Sequence, residues 1–117
     1  MLFRSVPRNS QELFNRGYPQ FTSMFWDGRV AAEPGGGFHG PGGVVLPPGL
    51  SGVLAAQAMI PVTTRLEMRG EAGDPNELGP IDDADLPAIW AALMARVLAF
   101  PEYVALFQAA YPTVPTG

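Results

Sequence analysis

The stretch of this sequence richest in chemically useful side chains is Met24–Val30, which reads Met-Phe-Trp-Asp-Gly-Arg-Val. Asp-Gly is a typical tight-turn dipeptide, because glycine accepts the positive φ angles that most residues avoid. We expect the turn to hold Phe25 and Trp26 on one side and Arg29 on the other, with an Asp–Arg ion pair beside it. Taken alone, the stretch favours a buried tryptophan next to a turn.

The only histidine, His39, is a second candidate for chemistry. Histidine is the commonest axial ligand of haem iron, so a ligand role has to be considered. His39 lies between Phe38 and Gly40 in a glycine-rich stretch, where a mobile loop would hold no fixed ligand geometry. The position therefore favours an ordinary loop histidine over a haem ligand.

Gln57 and Glu67 are a third candidate pair, ten residues apart with Pro61 between them. A proline interrupts a helix, so one straight helix cannot present both side chains. The two could converge if the chain turns at Pro61. Otherwise each is an ordinary surface polar residue.

Helices are the elements that the sequence predicts to position these residues. The stretch 8–14 offers Asn9 or Ser10 as a helix cap, and Leu50–Met59 reads as a short helix with Ser51 as its cap. Further helices are predicted at 65–68, at 86–100 behind an Asp85 cap, and at 102–110. In the last of these, we expect four side chains to face inward: Tyr103, Leu106, Phe107 and Ala110.

Long irregular loops are expected between these helices. Pro19–Phe25 is predicted as a connecting loop. Ala31–Gly49 is so rich in glycine and proline that we expect a surface loop there, and the acidic segment Glu71–Asp85 is expected to be another. The predicted fold is therefore mainly α with long Gly/Pro-rich loops, loop-rich over 1–85 and helical over 86–111.

The composition excludes several classes of protein. The chain has 117 residues, a net charge of −4, and seven Lys and Arg without a basic cluster, which argues against nucleic acid as a partner. No apolar run approaches the roughly 18 residues that a membrane span requires, and the first residues do not read as a signal peptide. The chain has no cysteine, so it contains no Cys-X-X-Cys-His haem attachment motif.

Three motifs in a fixed order resemble the N-terminal half of the bacterial dihaem cytochrome c peroxidases. The resemblance runs from about Arg8 to Pro112 and implies a partial cytochrome c-like haem domain in a periplasmic protein. The motifs are Arg8-Asn9-Ser10 with Leu13-Phe14-Asn15, then Trp26-Asp27-Gly28-Arg29, then Ala55-Ala56-Gln57-Ala58-Met59 with Glu67-Met68.

The resemblance also implies roles for individual residues. Glu67 would be the acid–base catalyst that moves the peroxide proton, and Gln57 would orient the peroxide. Trp26 would carry electrons between two haems, with Asp27, Gly28 and Arg29 as its structural support. Asn9 would help to bind calcium, although the residues alone favour a helix cap.

The family implies partners that this sequence cannot supply alone. Intact members carry two c-type haems and calcium, and they reduce hydrogen peroxide with electrons from a small cytochrome c or copper protein. Since both attachment motifs are missing, we expect an incomplete N-terminal domain over 1–117 that lacks its C-terminal haem domain, binds no haem covalently and is inactive alone. Two alternatives remain open: a related maturase-type dihaem oxidoreductase, and a haem-free protein-interaction module.

Overall fold

The computed structural model describes residues 12–111. The chain divides after Gly70 into two compact units, so the described residues fall into unit 1 (12–70) and unit 2 (71–111). All of the predicted site residues that are described belong to unit 1.

A small antiparallel sheet forms the centre of unit 1. Its strands are β1 (Ser23–Met24), β2 (Val30–Ala32) and β3 (Phe38–His39), in the order β1-β2-β3. The register pairs Met24 with Val30, and both side chains are buried. Each strand is only two or three residues long, which is too short for the alternation of apolar and polar residues that identifies a strand in a sequence.

The sheet corrects the prediction that Pro19–Phe25 and Ala31–Gly49 are irregular loops throughout. In the second segment, β2 and β3 form a hairpin whose turn contains Gly36 and Gly37, with φ values of 92° and 87°. The Glu33 N–H donates to the Gly37 carbonyl oxygen at 3.0 Å and closes this turn. The glycines that indicated a loop are therefore the residues that let the hairpin turn.

Helix α1 (Val53–Ala58) packs against all three strands. The buried apolar residues of unit 1 come from the sheet, from the helix and from the chain between them: Met24, Val30, Leu46, Val53 and Ala56. The helix is shorter than predicted, and Gly52 stands at its N-cap, so the expected Ser51 cap is wrong.

Two tight helical turns follow α1 and complete unit 1. A 3₁₀ turn spans Pro61–Thr63, and a π-helical turn spans Arg65–Arg69. The 3₁₀ turn packs against both α1 and the π-helical turn. Helix α1 therefore ends before Pro61, as predicted, and the chain continues in a 3₁₀ turn.

Unit 2 contains helices α2 (Leu86–Leu98) and α3 (Pro101–Ala110). The Asp85 side chain accepts a hydrogen bond from the Ala88 N–H at 3.1 Å, which confirms the predicted cap. Ile89 is fully buried, and Leu78 from the preceding segment is buried as well. Glu71–Asp85 contains neither helix nor strand, as predicted.

The predicted inward face of α3 is wrong. Tyr103, Leu106 and Phe107 are 52%, 64% and 44% exposed, and Ala110 is exposed too. Tyr103 contacts the ring of Phe100 edge-on, at 5.9 Å between centroids. The apolar residues do recur at helical spacing, but nothing within residues 12–111 packs over this face to bury it.

The predicted short helix at 8–14 lies partly outside the described residues. Where the chain is described, it forms turns, and the Arg16 N–H donates to the Leu13 carbonyl oxygen at 3.2 Å. About 40% of residues 12–111 are helical, and the small sheet was not expected. The prediction of a mainly α fold is thus confirmed only in part.

Among residues 12–111, no single helix is long and apolar enough to cross a membrane. Only α2 and α3 taken together reach that length and composition, and a bend of 103° separates them.

Candidate functional site

Trp26 lies at the tip of the hairpin loop that joins β1 to β2. The loop spans 25–29, and its two ends are anchored by the buried pair Met24 and Val30. Trp26 itself is 88% exposed. This corrects the interpretation of a buried tryptophan beside a turn, because the strand pairing points the loop away from the core.

The loop is closed by the turn that Asp-Gly predicted. The Gly28 N–H donates to the Phe25 carbonyl oxygen at 3.1 Å, and Gly28 has a φ of 65°. A Cβ at Gly28 would meet no atom within 4 Å, so the glycine is required for its backbone conformation and not for space.

Asp27 and Arg29 form a bidentate ion pair across this turn. The Arg29 Nε donates to Asp27 Oδ1 at 2.9 Å and to Oδ2 at 3.0 Å, and a terminal guanidinium nitrogen also contacts Oδ2. These hydrogen bonds lower the pKa of the Asp27 carboxyl below its usual 3.8 and raise the pKa of Arg29. Both shifts favour the ionised forms of the pair.

Phe25 is the residue of this loop that the sequence did not single out. Its φ is 66°, a left-handed conformation that is uncommon for a bulky side chain. The Arg29 guanidinium carbon lies 5.4 Å from the centroid of the Phe25 ring, within the range of a cation–π contact. The expectation that Arg29 and Phe25 lie on opposite sides of the turn is therefore wrong.

Gln57 lies in the last turn of α1 and is half-buried. Its carbonyl oxygen accepts a hydrogen bond from the Ile60 N–H at 3.1 Å, just before the chain turns at Pro61. The backbone at Gln57 thus belongs both to the end of the helix and to the start of the turn that follows.

Glu67 lies in the π-helical turn Arg65–Arg69 and is exposed. The N–H groups of Glu67, Met68 and Arg69 all converge on the Thr64 carbonyl oxygen, at 3.1 to 3.2 Å. Arg69 is 1% exposed and anchors the turn, whereas Met68 is 67% exposed. Single π-helical turns are rare and occur frequently at functional sites.

The elements that carry Gln57 and Glu67 are linked by the 3₁₀ turn Pro61–Thr63. This turn packs against α1 on one side and against the π-helical turn on the other. Gln57 and Glu67 therefore lie on two elements that both pack against the same 3₁₀ turn.

His39 is bound within its own hairpin. Its Nδ1 lies 2.6 Å from Oε1 of Glu33, on the turn that joins β2 to β3. Among residues 12–111 there is no group of three or more His, Cys, Asp or Glu side chains placed to hold a metal ion. Asn9, the predicted calcium ligand, lies outside the described residues.

An open cavity of about 630 Å³ also occurs in unit 1. It lies between the 16–22 segment and the start of α1. Arg16 is part of its wall, stacks on the Phe21 ring at 4.7 Å and pairs with Glu12. None of the predicted site residues within 12–111 lines this cavity.

Comparison with known proteins identifies the family. A family model described as di-haem cytochrome c peroxidase matches residues 3–117. No curated protein and no solved structure matches the chain. The family match covers nearly the whole sequence, including all three motifs in which the resemblance was read. The chain therefore belongs to the di-haem cytochrome c peroxidase family.

Proposed function

We propose that this chain supplies the peroxide-handling and electron-relay residues of an oxidoreductase that reduces hydrogen peroxide to water. Membership of the family supports the oxidoreductase class. The observation that carries the finer proposal is the π-helical turn, which exposes Glu67 next to the elements that follow Gln57.

Glu67 has the chemistry that cleavage of the peroxide O–O bond needs. The reduction consumes two electrons and two protons and releases two waters. A carboxylate that takes the proton from one peroxide oxygen can return it to the departing oxygen, which is general acid–base catalysis. An exposed Glu67 can reach such a molecule without first being uncovered.

Gln57 is proposed to orient the peroxide. Its side-chain amide both donates and accepts hydrogen bonds, so it can hold the molecule without taking its proton. Because Gln57 is half-buried at the end of a helix, its backbone is more fixed than that of a residue in an open loop.

Trp26 is proposed to relay electrons. The indole is 88% exposed at the tip of a hairpin whose base is buried, so another redox group can approach it closely. The donor is proposed to be a small cytochrome c or copper protein. Asp27, Gly28 and Arg29 support the loop in this role.

The residues present do not fit a covalently attached haem. Thioether attachment requires cysteine, and the chain has none. Any attached haem would have to be held by residues other than these 117, and we derive no step through it. A periplasmic location and a calcium ligand at Asn9 remain parts of the proposal.

The experiment is to isolate the holoprotein that contains this chain from the cells that make it and to follow peroxide consumption with a reduced small cytochrome c. We expect peroxide-dependent oxidation of the donor. A holoprotein that instead oxidises only a protein tryptophan would identify a maturase-type enzyme. A chain isolated without any redox cofactor would overturn the proposal in favour of an interaction module.

Trp26→Phe in the same holoprotein tests the relay. We expect the first reaction with peroxide to keep its rate while oxidation of the donor slows. Trp90→Phe is the matched control, since Trp90 is half-buried in α2 and has no proposed redox role. Equal donor oxidation in the Trp26 variant and in the control would exclude Trp26 as the relay.

A further inference from the structure

The conformation of Phe25 is costly by itself and must be maintained by its surroundings. Among the described residues other than glycine, only Asn15 and Phe25 have positive φ. Asparagine tolerates this region because its short side chain can bond locally, whereas an aromatic residue gains no such compensation. Residues held in this way persist only where neighbouring contacts fix them, and they concentrate at functional sites.

Two contacts connect Phe25 to the far side of the loop, and a third holds Arg29 to Asp27. Its carbonyl oxygen accepts the hydrogen bond from the Gly28 N–H at 3.1 Å. Its ring lies against the Arg29 guanidinium, which is in turn held on two atoms by Asp27. Contacts from Phe25 to Arg29 and from Arg29 to Asp27 therefore bridge the loop that carries Trp26.

This arrangement limits the directions in which the loop can project its exposed tryptophan. An exposed side chain ordinarily exchanges rotamers within picoseconds to nanoseconds. The backbone of Trp26 lies between the left-handed Phe25 and the clamped Asp27, so the direction of its Cα–Cβ bond is set on both sides. Preorganisation of this kind is what a relay residue needs, because its distance to both redox partners must be constant.

We infer that Phe25 is a positioning residue for Trp26: its left-handed backbone and its Arg29-stacked ring fix the direction in which the hairpin tip projects the indole. The importance of this orientation for electron transfer rests on the proposed function. The orientation itself does not, and it can be measured on the chain alone.

The test uses time-resolved fluorescence anisotropy of the 117-residue chain carrying Trp90→Phe, in which Trp26 is the only tryptophan. Phe25→Asn removes the ring but keeps a residue that tolerates positive φ. We expect it to raise the amplitude of fast, local indole motion about twofold, because the stacked contact is lost. Phe25→Tyr keeps the ring and should restore the parent value.

Phe14→Asn is the matched control, since it removes a ring that is 86% exposed from the same unit. It should leave the anisotropy decay of Trp26 unchanged. A folded Phe25→Asn variant with a parent-like decay would overturn the inference, as would a Phe25→Tyr variant as mobile as the asparagine one.

If circular dichroism shows that Phe25→Asn does not fold, Arg29→Lys decides. Lysine keeps the charge but lacks the planar fork that contacts both Asp27 and the Phe25 ring. We expect the same increase in fast motion, and an unchanged decay would refute the inference. No peroxide or haem enters these measurements. Failure here removes the positioning role alone, whereas failure of the Trp26→Phe kinetics removes the relay alone.

Discussion

At the scale of single residues, the Glu77–Arg96 ion pair of unit 2 gives a measurable response to acid. In unit 2, the Arg96 Nε donates to Glu77 Oε1 at 2.7 Å. This hydrogen bond lowers the pKa of Glu77 from 4.5 to about 2. Both side chains are about half exposed, so solvent screens the pair and its contribution to stability is small.

The direction of the pH dependence follows from that shift. Because the folded pKa of Glu77 lies below the unfolded value, the pair stabilises unit 2 above about pH 4.5 and loses this contribution as the pH falls toward 2. Arg96→Gln should return the pKa of Glu77 toward 4.5, as measured by NMR titration of its carboxyl carbon. A pKa that stays near 2 in the variant would show that Arg96 is not the cause.

The sequence allowed the turn at Asp27-Gly28 to be predicted, but not the backbone conformation or the exposure of its neighbours. Asp27 and Gly28 predicted a turn, and the turn is present. Nothing in the sequence indicated the positive φ of Phe25, because phenylalanine rarely adopts it. The exposure of Trp26 was not predicted either. It depends on the pairing of β1 with β2, and strands of two or three residues are too short to be recognised in a sequence.

At the scale of elements, the hairpin loop depends on one glycine. Gly28→Ala should destabilise unit 1 by about 1 kcal/mol. The left-handed φ of 65° is unfavourable for alanine, even though a Cβ at this position would contact no other atom. Urea unfolding followed by the fluorescence anisotropy of Trp26, in the Trp90→Phe background, measures this. Gly35→Ala is the control, because Gly35 has equal space without a positive φ. Equal effects of the two substitutions would contradict the assigned turn.

Helix α2 depends on the burial of one aliphatic side chain. Ile89 is 0% exposed, whereas Met94 on the same helix is 48% exposed. Ile89→Ala should therefore destabilise unit 2 by about 2–5 kcal/mol, and Met94→Ala by much less. Loss of helical circular dichroism on heating compares them. Similar losses from both substitutions would mean that α2 is not packed as described.

Helix boundaries were predicted well where capping residues and prolines fix them. The Asp85 cap was anticipated, and α3 begins at Pro101, one residue before its predicted start. The predictions of a Ser51 cap and of an inward face on α3 were wrong. Local chemistry decides where a helix begins, but which face is buried depends on what packs against it.

At the scale of the whole chain, the absence of cysteine has a direct consequence. The 117-residue chain, expressed with a cytochrome c maturation system, should give no c-type pyridine haemochrome spectrum. Thioether attachment requires a cysteine thiol, and the chain has none. A c-type spectrum from the purified chain would contradict this expectation and would require a different mode of attachment.

The assignment of Glu67 to the peroxide proton is tested most directly by Glu67→Gln in the holoprotein. Glutamine keeps the size of the side chain and removes the base, so we expect O–O cleavage to slow by about 10²–10⁴-fold. Glu71→Gln is the matched control, since Glu71 is also exposed but lies beyond the π-helical turn. Stopped-flow spectra after mixing with hydrogen peroxide give both rates. A Glu67→Gln rate equal to that of the parent and of the control would make Glu67 an ordinary surface carboxylate and would contradict the proposed mechanism.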